Sequence, residues 1–274
     1  MRYRPVTHDK VEVEGGFINY EDIGKGTPLV LIHAGYVDSR MWDNQIGALK
    51  EKYRVIRYDV RGYGKSTRTE QAYCDAEDLK KLLDHLEIRK AVILGVSNGG
   101  RIAFDFAVSY PQMVMALIPV DSGLKGYKIS GPEEEKLWEH ITIDEEKYLS
   151  LRKEGKFREA AAIDVDFWSN AATGKLRDYI LEIAEENVFS DETDPDRLQV
   201  SPSPPAFERL SSLKVPVLFI VGSLDTPPLV EMDRRIHVMI PGSKFVVIEG
   251  ADHLPSLTRP KEFRKTLLGF LETL

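Results

Sequence analysis

The sequence predicts an α/β fold, a mainly parallel sheet with helices on both faces and an inserted helical cap. Three observations carry this expectation. Short, uninterrupted apolar runs recur along the chain, among them "PLVLIH" (28–33), "KAVILGV" (90–96) and "VPVLFIVG" (215–222), and strands buried on both faces read this way. Stretches with apolar residues at helical spacing lie between the runs, and that alternation gives a parallel sheet covered on both sides. The alternation then stops between about 124 and 212, where the chain is rich in charge and helix formers and has no strand-like run.

Taken in order, "KVEVEGGFINYED" alternates apolar and polar residues around Gly15-Gly16 and predicts an antiparallel hairpin with a two-glycine turn. The run 28–33 is a strand, a helix follows over about 39–51, and "YRVIRYD" (53–59) is the next strand. Ala72, Ala76, Leu79, Leu82, Leu83 and Leu86 line one face of a helix. A strand at 90–96 leads into a helix over about 98–109, stopped by Pro111. Strands are expected at 113–121, 215–222 and 244–250, and helices near 228–239 and 260–273. The segment 124–212 is read as a helical cap, returning through the proline-rich "SPSPPAFERL". Residues 1–123 and 213–274 would form the core. The competing reading is that these helices only decorate the sheet.

Composition narrows the function. The 274 residues carry a formal net charge of −7, which argues against a nucleic-acid groove, since such a groove must neutralise phosphates. A single cysteine, Cys74, permits no internal disulfide and no thiolate zinc cluster. No cofactor is expected and no metal either, for "HDKVE" near the N-terminus reads as a solvated tail. The first residues lack the apolar core of a secretory signal, and no stretch approaches the roughly 18–20 apolar residues of a membrane span. A cytoplasmic monomer or homodimer without membrane contact is expected.

"VILGVSNGGRIAF" (92–104) sets Ser97 between glycines where a buried run stops. Ser97 could merely cap the following helix. The sharper reading is a nucleophile elbow, a tight strand-to-helix turn whose neighbours must be small. Serine is a weak nucleophile and needs a base oriented by a carboxylate. Asp225 follows the run 217–221 and His253 follows the run 245–248. All three then stand on loops at the carboxyl ends of strands, where sites in open α/β sheets assemble.

With these residues in place, the chain resembles the α/β-hydrolase superfamily nearly end to end. The matching blocks are "HAG" (33–35), "RMWDNQ" (40–45), "YDVRGYGKS" (58–66), "GVSNGG" (95–100), "VGSLD" (221–225) and "GADHLP" (250–255). "HAGYVDSRMWDNQ" with "YDVRGYGKS" is similar to 3-oxoadipate enol-lactonases and bacterial carboxylesterases. The resemblance implies Ser97 as nucleophile, His253 as general base and acid, and Asp225 as its orienter. It also implies backbone oxyanion donors at Asn98 and Gly35. Ala34 stands where the family commonly has glycine, which leaves Tyr36 as an alternative to Gly35.

A small ester or lactone is the expected substrate, with Tyr36, Trp138 and Trp168 as candidate contacts. Asp121 in "IPVDSG" also ends a strand and is the alternative acid. His33 would brace the oxyanion loop, whereas His8, His85, His140 and His237 are read as surface or packing residues. Asp59 and Arg61 fit a hydrogen-bonded structural loop. A carbon–carbon bond hydrolase of ring-cleavage dienoates would need an anion partner. Arg101 could serve, though it reads more simply as lying on the exposed face of its helix. A proline-type aminopeptidase would need cap acids such as Glu133–Glu135 or Asp144–Glu146, which read as a solvated face. A ligand-binding receptor on the same fold is the non-enzyme alternative. Haloalkane dehalogenation is disfavoured, because that branch needs a carboxylate nucleophile where this chain has Ser97.

Overall fold

The computed structural model describes residues 7–139, 141–189 and 194–274; His140 lies outside them. Among the described residues, eight strands form one sheet in the order β1-β2-β4-β3-β5-β6-β7-β8. β1 (Thr7–Val13) and β2 (Gly16–Gly24) make the expected hairpin, pairing Val13 with Gly16 and Val11 with Ile18. β2 meets β4 (Tyr53–Tyr58) antiparallel. From β4 onward every pairing is parallel, through β3 (Thr27–Ile32), β5 (Ala91–Val96), β6 (Val114–Val120), β7 (Leu218–Gly222) and β8 (Lys244–Ile248).

The inner strands are apolar at successive positions because both faces are covered. Along β3, Leu29 and Leu31 pack on one side with Trp42 and Phe263, while Val30 and Ile32 pack on the other with Leu79 and Ile102. That is the two-residue alternation of a strand, with both destinations dry. Burying each such side chain contributes about 1.5–3 kcal/mol. One face carries α1 (Asp43–Leu49), α10 (Pro255–Thr258) and α11 (Pro260–Leu271); the other carries α2 (Asp75–His85), α3 (Asn98–Ser109) and α9 (Pro227–Met239).

Differences from the sequence expectation have local causes. The helix expected over 39–51 opens as a 3-10 turn, Ser39–Trp42, whose first amides are met by the Asp38 side chain accepting from Arg40 N. The helix expected from Ala72 starts only at Asp75, because Tyr73 bridges to Gln199 and holds the preceding backbone extended. The strand expected from Val215 is regular only from Leu218; Pro216 has no N–H to give a ladder.

Between β6 and β7 come α4 (Pro132–Trp138), α5 (Glu145–Lys153), α6 (Phe157–Trp168), α7 (Gly174–Glu186), α8 (Pro195–Leu198) and the 3-10 turn Ala206–Ser212. α6 and α7 bury Ala161, Val165, Ile180 and Ala184 and sit over the carboxyl ends of the strands. Polar contacts pin them there. Asn187 takes the Gly64 N–H on Oδ1 at 2.8 Å and donates Nδ2 to Asp38 at 3.1 Å. The Asp252 carboxylate accepts from Ala171 N at 3.0 Å, and the Tyr179 hydroxyl donates to the Arg40 carbonyl at 3.0 Å.

Candidate active site

Ser97 stands between β5 and α3 with φ 56° and ψ −117°. A side-chain-bearing residue with positive φ is costly and persists only when its surroundings enforce it. Here the Ser97 N–H donates to Val120 O at 2.9 Å, and the Ser97 carbonyl accepts from Arg101 N and Gly123 N, both at 3.0 Å. The flanking glycines allow the close approach that the turn requires. A Cβ on Gly95 would collide with the Gly99 carbonyl, and one on Gly99 would lie 2.6 Å from the carbonyl oxygens of Ile32 and His33. The "GVSNGG" pattern is therefore a packing requirement as well as a turn.

His253 and Asp225 come from the loops after β8 and β7. His253 Nδ1 lies 2.9 Å from Asp225 Oδ2, and both side chains are 1% exposed. A carboxylate can only accept, so Nδ1 carries a proton, which in the neutral ring leaves Nε2 as the acceptor. Asp225 Oδ1 is held by Thr226 N at 2.7 Å. The Trp168 ring covers the imidazole with centroids 4.5 Å apart.

Ser97 and His253 line one cavity of about 610 Å³, together with Gly35, Tyr36, Asn98, Asp164 and Trp168. Asn98 opens α3, so its N–H is among the first-turn amides without an intrahelical acceptor. Gly35 lies beside it: a Cβ there would come within 3.4 Å of Asn98 Cβ. The turn carrying Gly35 and Tyr36 closes through Val37 N onto Ala34 O at 3.4 Å. His33 sits beneath this turn, fully buried. Its Nε2 accepts from Val60 N at 2.8 Å, so its Nδ1 is the protonated nitrogen and donates to Ala34 O at 2.8 Å. Burial lowers its pKa, which suits a neutral ring.

Asp121, the alternative acid, is fully buried behind Asp225 and accepts from Gly222 N at 2.9 Å through Oδ1. Burial and then the Asp225 charge raise its pKa well above the carboxylate range. No donor among the described residues faces its Oδ2. Burial and the Asp225 charge thus disfavour the charged form of Asp121, and Asp225 is the one that meets His253. Asp233 lies deeper, accepts from Ser122 N and Oγ at 2.9 and 2.5 Å, and is pushed up to about 7, chiefly by burial.

Other residues fall differently from the sequence reading. Trp138 does not line the cavity; its ring packs on Tyr127 at 6.3 Å, because α4 lies against α9. Arg101 is not on an exposed face. Its side chain is only 12% exposed, donating to Asp75 at 2.5 Å, Asp105 at 3.0 Å and Asn98 Oδ1 at 2.8 Å. Glu134 is likewise buried rather than solvated, bonded to Tyr127, Ser130 N and Arg235. Tyr36 and Trp168 do line the cavity, with the Tyr36 hydroxyl 2.8 Å from Ser169 Oγ. Arg61 is held by Asp78 at 2.7 Å from two nitrogens, and Asp59 accepts from Asn19, Ser39 N and Lys65 N. Asp164 escaped the sequence reading, although its place four residues before Trp168 puts both on one helix face.

No group of three or more His, Cys, Asp or Glu side chains among the described residues could hold a metal ion. No helix among them is long and apolar enough to cross a membrane.

This sheet order, with a strained serine at the end of its fifth strand, defines a class. Residues 27–260 match the alpha/beta hydrolase fold family, and the chain belongs to it. Among its relatives, a pimeloyl-acyl-carrier-protein methyl ester esterase of Aliivibrio fischeri (strain MJ11) is 29% identical over 264 residues, 90% of this chain and 95% of that protein. A 3-oxoadipate enol-lactonase 1 of Acinetobacter baylyi is 24% identical over 246 residues, 86% of this chain and 85% of that one. Among solved structures, a thermophilic esterase from Thermogutta terrifontis superposes with a TM-score of 0.78 at 26% identity, covering 97% of this chain and 98% of its own.

Proposed function

We propose that this protein hydrolyses carboxylic esters or lactones through an acyl-enzyme, with Ser97 as nucleophile, His253 as general base and acid, and Asp225 as orienter. The observation that carries the proposal is Ser97, held at positive φ, opening onto the same cavity as an imidazole whose other nitrogen is engaged by a buried carboxylate. Esterase and lactonase relatives support it.

His253 Nε2 takes the Ser97 proton as Oγ attacks the acyl carbon, and Asp225 stabilises the imidazolium that forms. The N–H groups of Asn98 and Gly35 receive the developing oxyanion; removing one such donor costs about 3–4 kcal/mol of transition-state stabilisation. The imidazolium returns its proton to the leaving alkoxide. Water, activated by the same nitrogen, then releases the acid. The helices of 124–212 act as the cap, closing the cavity over the imidazole with Trp168. The carbon–carbon hydrolase reading gains little from Arg101, whose charge is matched by Asp75 and Asp105 and which also donates to Asn98.

The test is hydrolysis of p-nitrophenyl esters from acetate to decanoate by wild type beside Ser97→Ala. Turnover by the wild type alone supports the proposal. A folded wild type that turns over no ester refutes it, and equal activity in both proteins refutes the assignment of Ser97.

A further inference from the structure

The ionic groups around the cavity are mostly matched. Arg101 on α3 is tied to Asp75 and Asp105, and Arg152 on α5 to Asp194 at 3.2 Å. Tyr36, from the loop after β3, is bonded to Ser169, and His253, from the loop after β8, to Asp225. Lys125 and Glu145 stand at the exposed rim. Asp164 is the exception. It lines the cavity from α6, one turn before the Trp168 that covers the His253 ring. Among the described residues nothing hydrogen-bonds or ion-pairs with its carboxyl group.

We propose that Asp164 is a specificity-determining residue, a neutral carboxylic acid that donates a hydrogen bond to an oxygen acceptor, an ether or second carbonyl, on the substrate. The proposal rests on the hydrolase reading and names the substrate class for the same cavity. A half-buried carboxyl with no cation paired to it shifts toward the uncharged form. In agreement, burial alone pushes Asp164 up to about 7. A carboxylic acid in its neutral form is a strong donor. An ammonium substrate is the other partner such a group could take. It carries three donors, however, and Asp164 offers it one carboxyl group with no second acid beside it that affects its charge.

The test compares ω-methoxy p-nitrophenyl esters with alkyl esters of equal chain length (methoxyacetate against butanoate, and two longer pairs). The wild type should favour one methoxy ester over its alkyl partner in KM by about three- to tenfold, the worth of one hydrogen bond. The acid form persists below pH about 7, so the preference should be full at pH 6 and lost by pH 9. Taking the ratio of the paired esters cancels any pH dependence the two share. Asp164→Leu should abolish the preference; Asp164→Asn, which keeps a donor that cannot ionise, should retain it at every pH. Calorimetric binding of the same pairs to the Ser97→Ala protein gives the ratio without turnover. A wild type that hydrolyses no ester therefore overturns the esterase reading separately from this one. No preference in either measurement, a preference that survives Asp164→Leu, or tighter use of p-nitrophenyl glycinate lost in Asp164→Asn would overturn the assignment of Asp164 as a neutral donor.

Discussion

At the carboxyl ends of β5, β6, β7 and β8 the polar groups are buried and, Asp121 Oδ2 apart, held by partners. Asp225 meets His253, Asp233 meets Ser122, Asp121 meets Gly222 N, and Ser97 is locked through three backbone hydrogen bonds. Across the same cavity, the helices between β6 and β7 are held to the core by scattered polar contacts. They present Asp164 unpaired and Trp168 half-buried. A group that must keep one geometry through a reaction needs neighbours that over-determine it; a group that recognises a substrate must leave a valence open. On the proposed reading, chemistry would lie on the sheet side and selectivity on the helical side.

Substitutions can break or sharpen that division. The largest effect is expected for Ser97→Ala, which should lower kcat by roughly 10³-fold or more with the fold intact by circular dichroism, since removing a triad nucleophile leaves only oxyanion and binding contributions. Asp225→Asn should cost about 10³–10⁴-fold in kcat, because the amide presents a donor where His253 Nδ1–H needs an acceptor. Asp121→Asn should cost less than about tenfold, since a neutral acid is replaced by a neutral amide that can still accept from Gly222 N and donate to Asp225. A loss as large as that of Asp225→Asn would mean that Asp121 shares the orienting charge. On the helical side, Trp168→Ala should lower kcat/KM by about two- to tenfold, the worth of one aromatic contact. Trp138→Phe, away from the cavity, should leave kcat and KM unchanged within about twofold. Steady-state kinetics on purified variants reads all of these.

The sheet side was legible because its signals are local and redundant. Apolar runs end at Gly95, Gly222 and Ile248, and each is followed within a few residues by one of Ser97, Asp225 and His253. The preference for Asp225 over Asp121 rested on the resemblance rather than on any local signal. Both end strands, and only their positions relative to His253 separate them. The helical side was legible in kind but not in detail. Its charge and helix formers announce helices, yet which face of each turns inward depends on tertiary docking. Trp138 and Trp168 look alike in sequence, but one packs on Tyr127 and the other on the imidazole. Arg101 misled for the same reason: a lone arginine on an amphipathic helix reads as exposed, and its partners Asp75 and Asp105 arrive from a second helix and the next turn.

The most direct measurement is the site of covalent labelling by a fluorophosphonate, read by mass spectrometry of the tryptic digest. Cleavage after Lys90 and Arg101 releases residues 91–101, a peptide whose sole hydroxyl is Ser97. The expected result is stoichiometric adduct on that peptide, absent from Ser97→Ala and much slowed in His253→Ala. Labelling elsewhere in the folded protein, or labelling at Ser97 at the same rate without His253, would contradict the assignment of Ser97 as a nucleophile activated by His253.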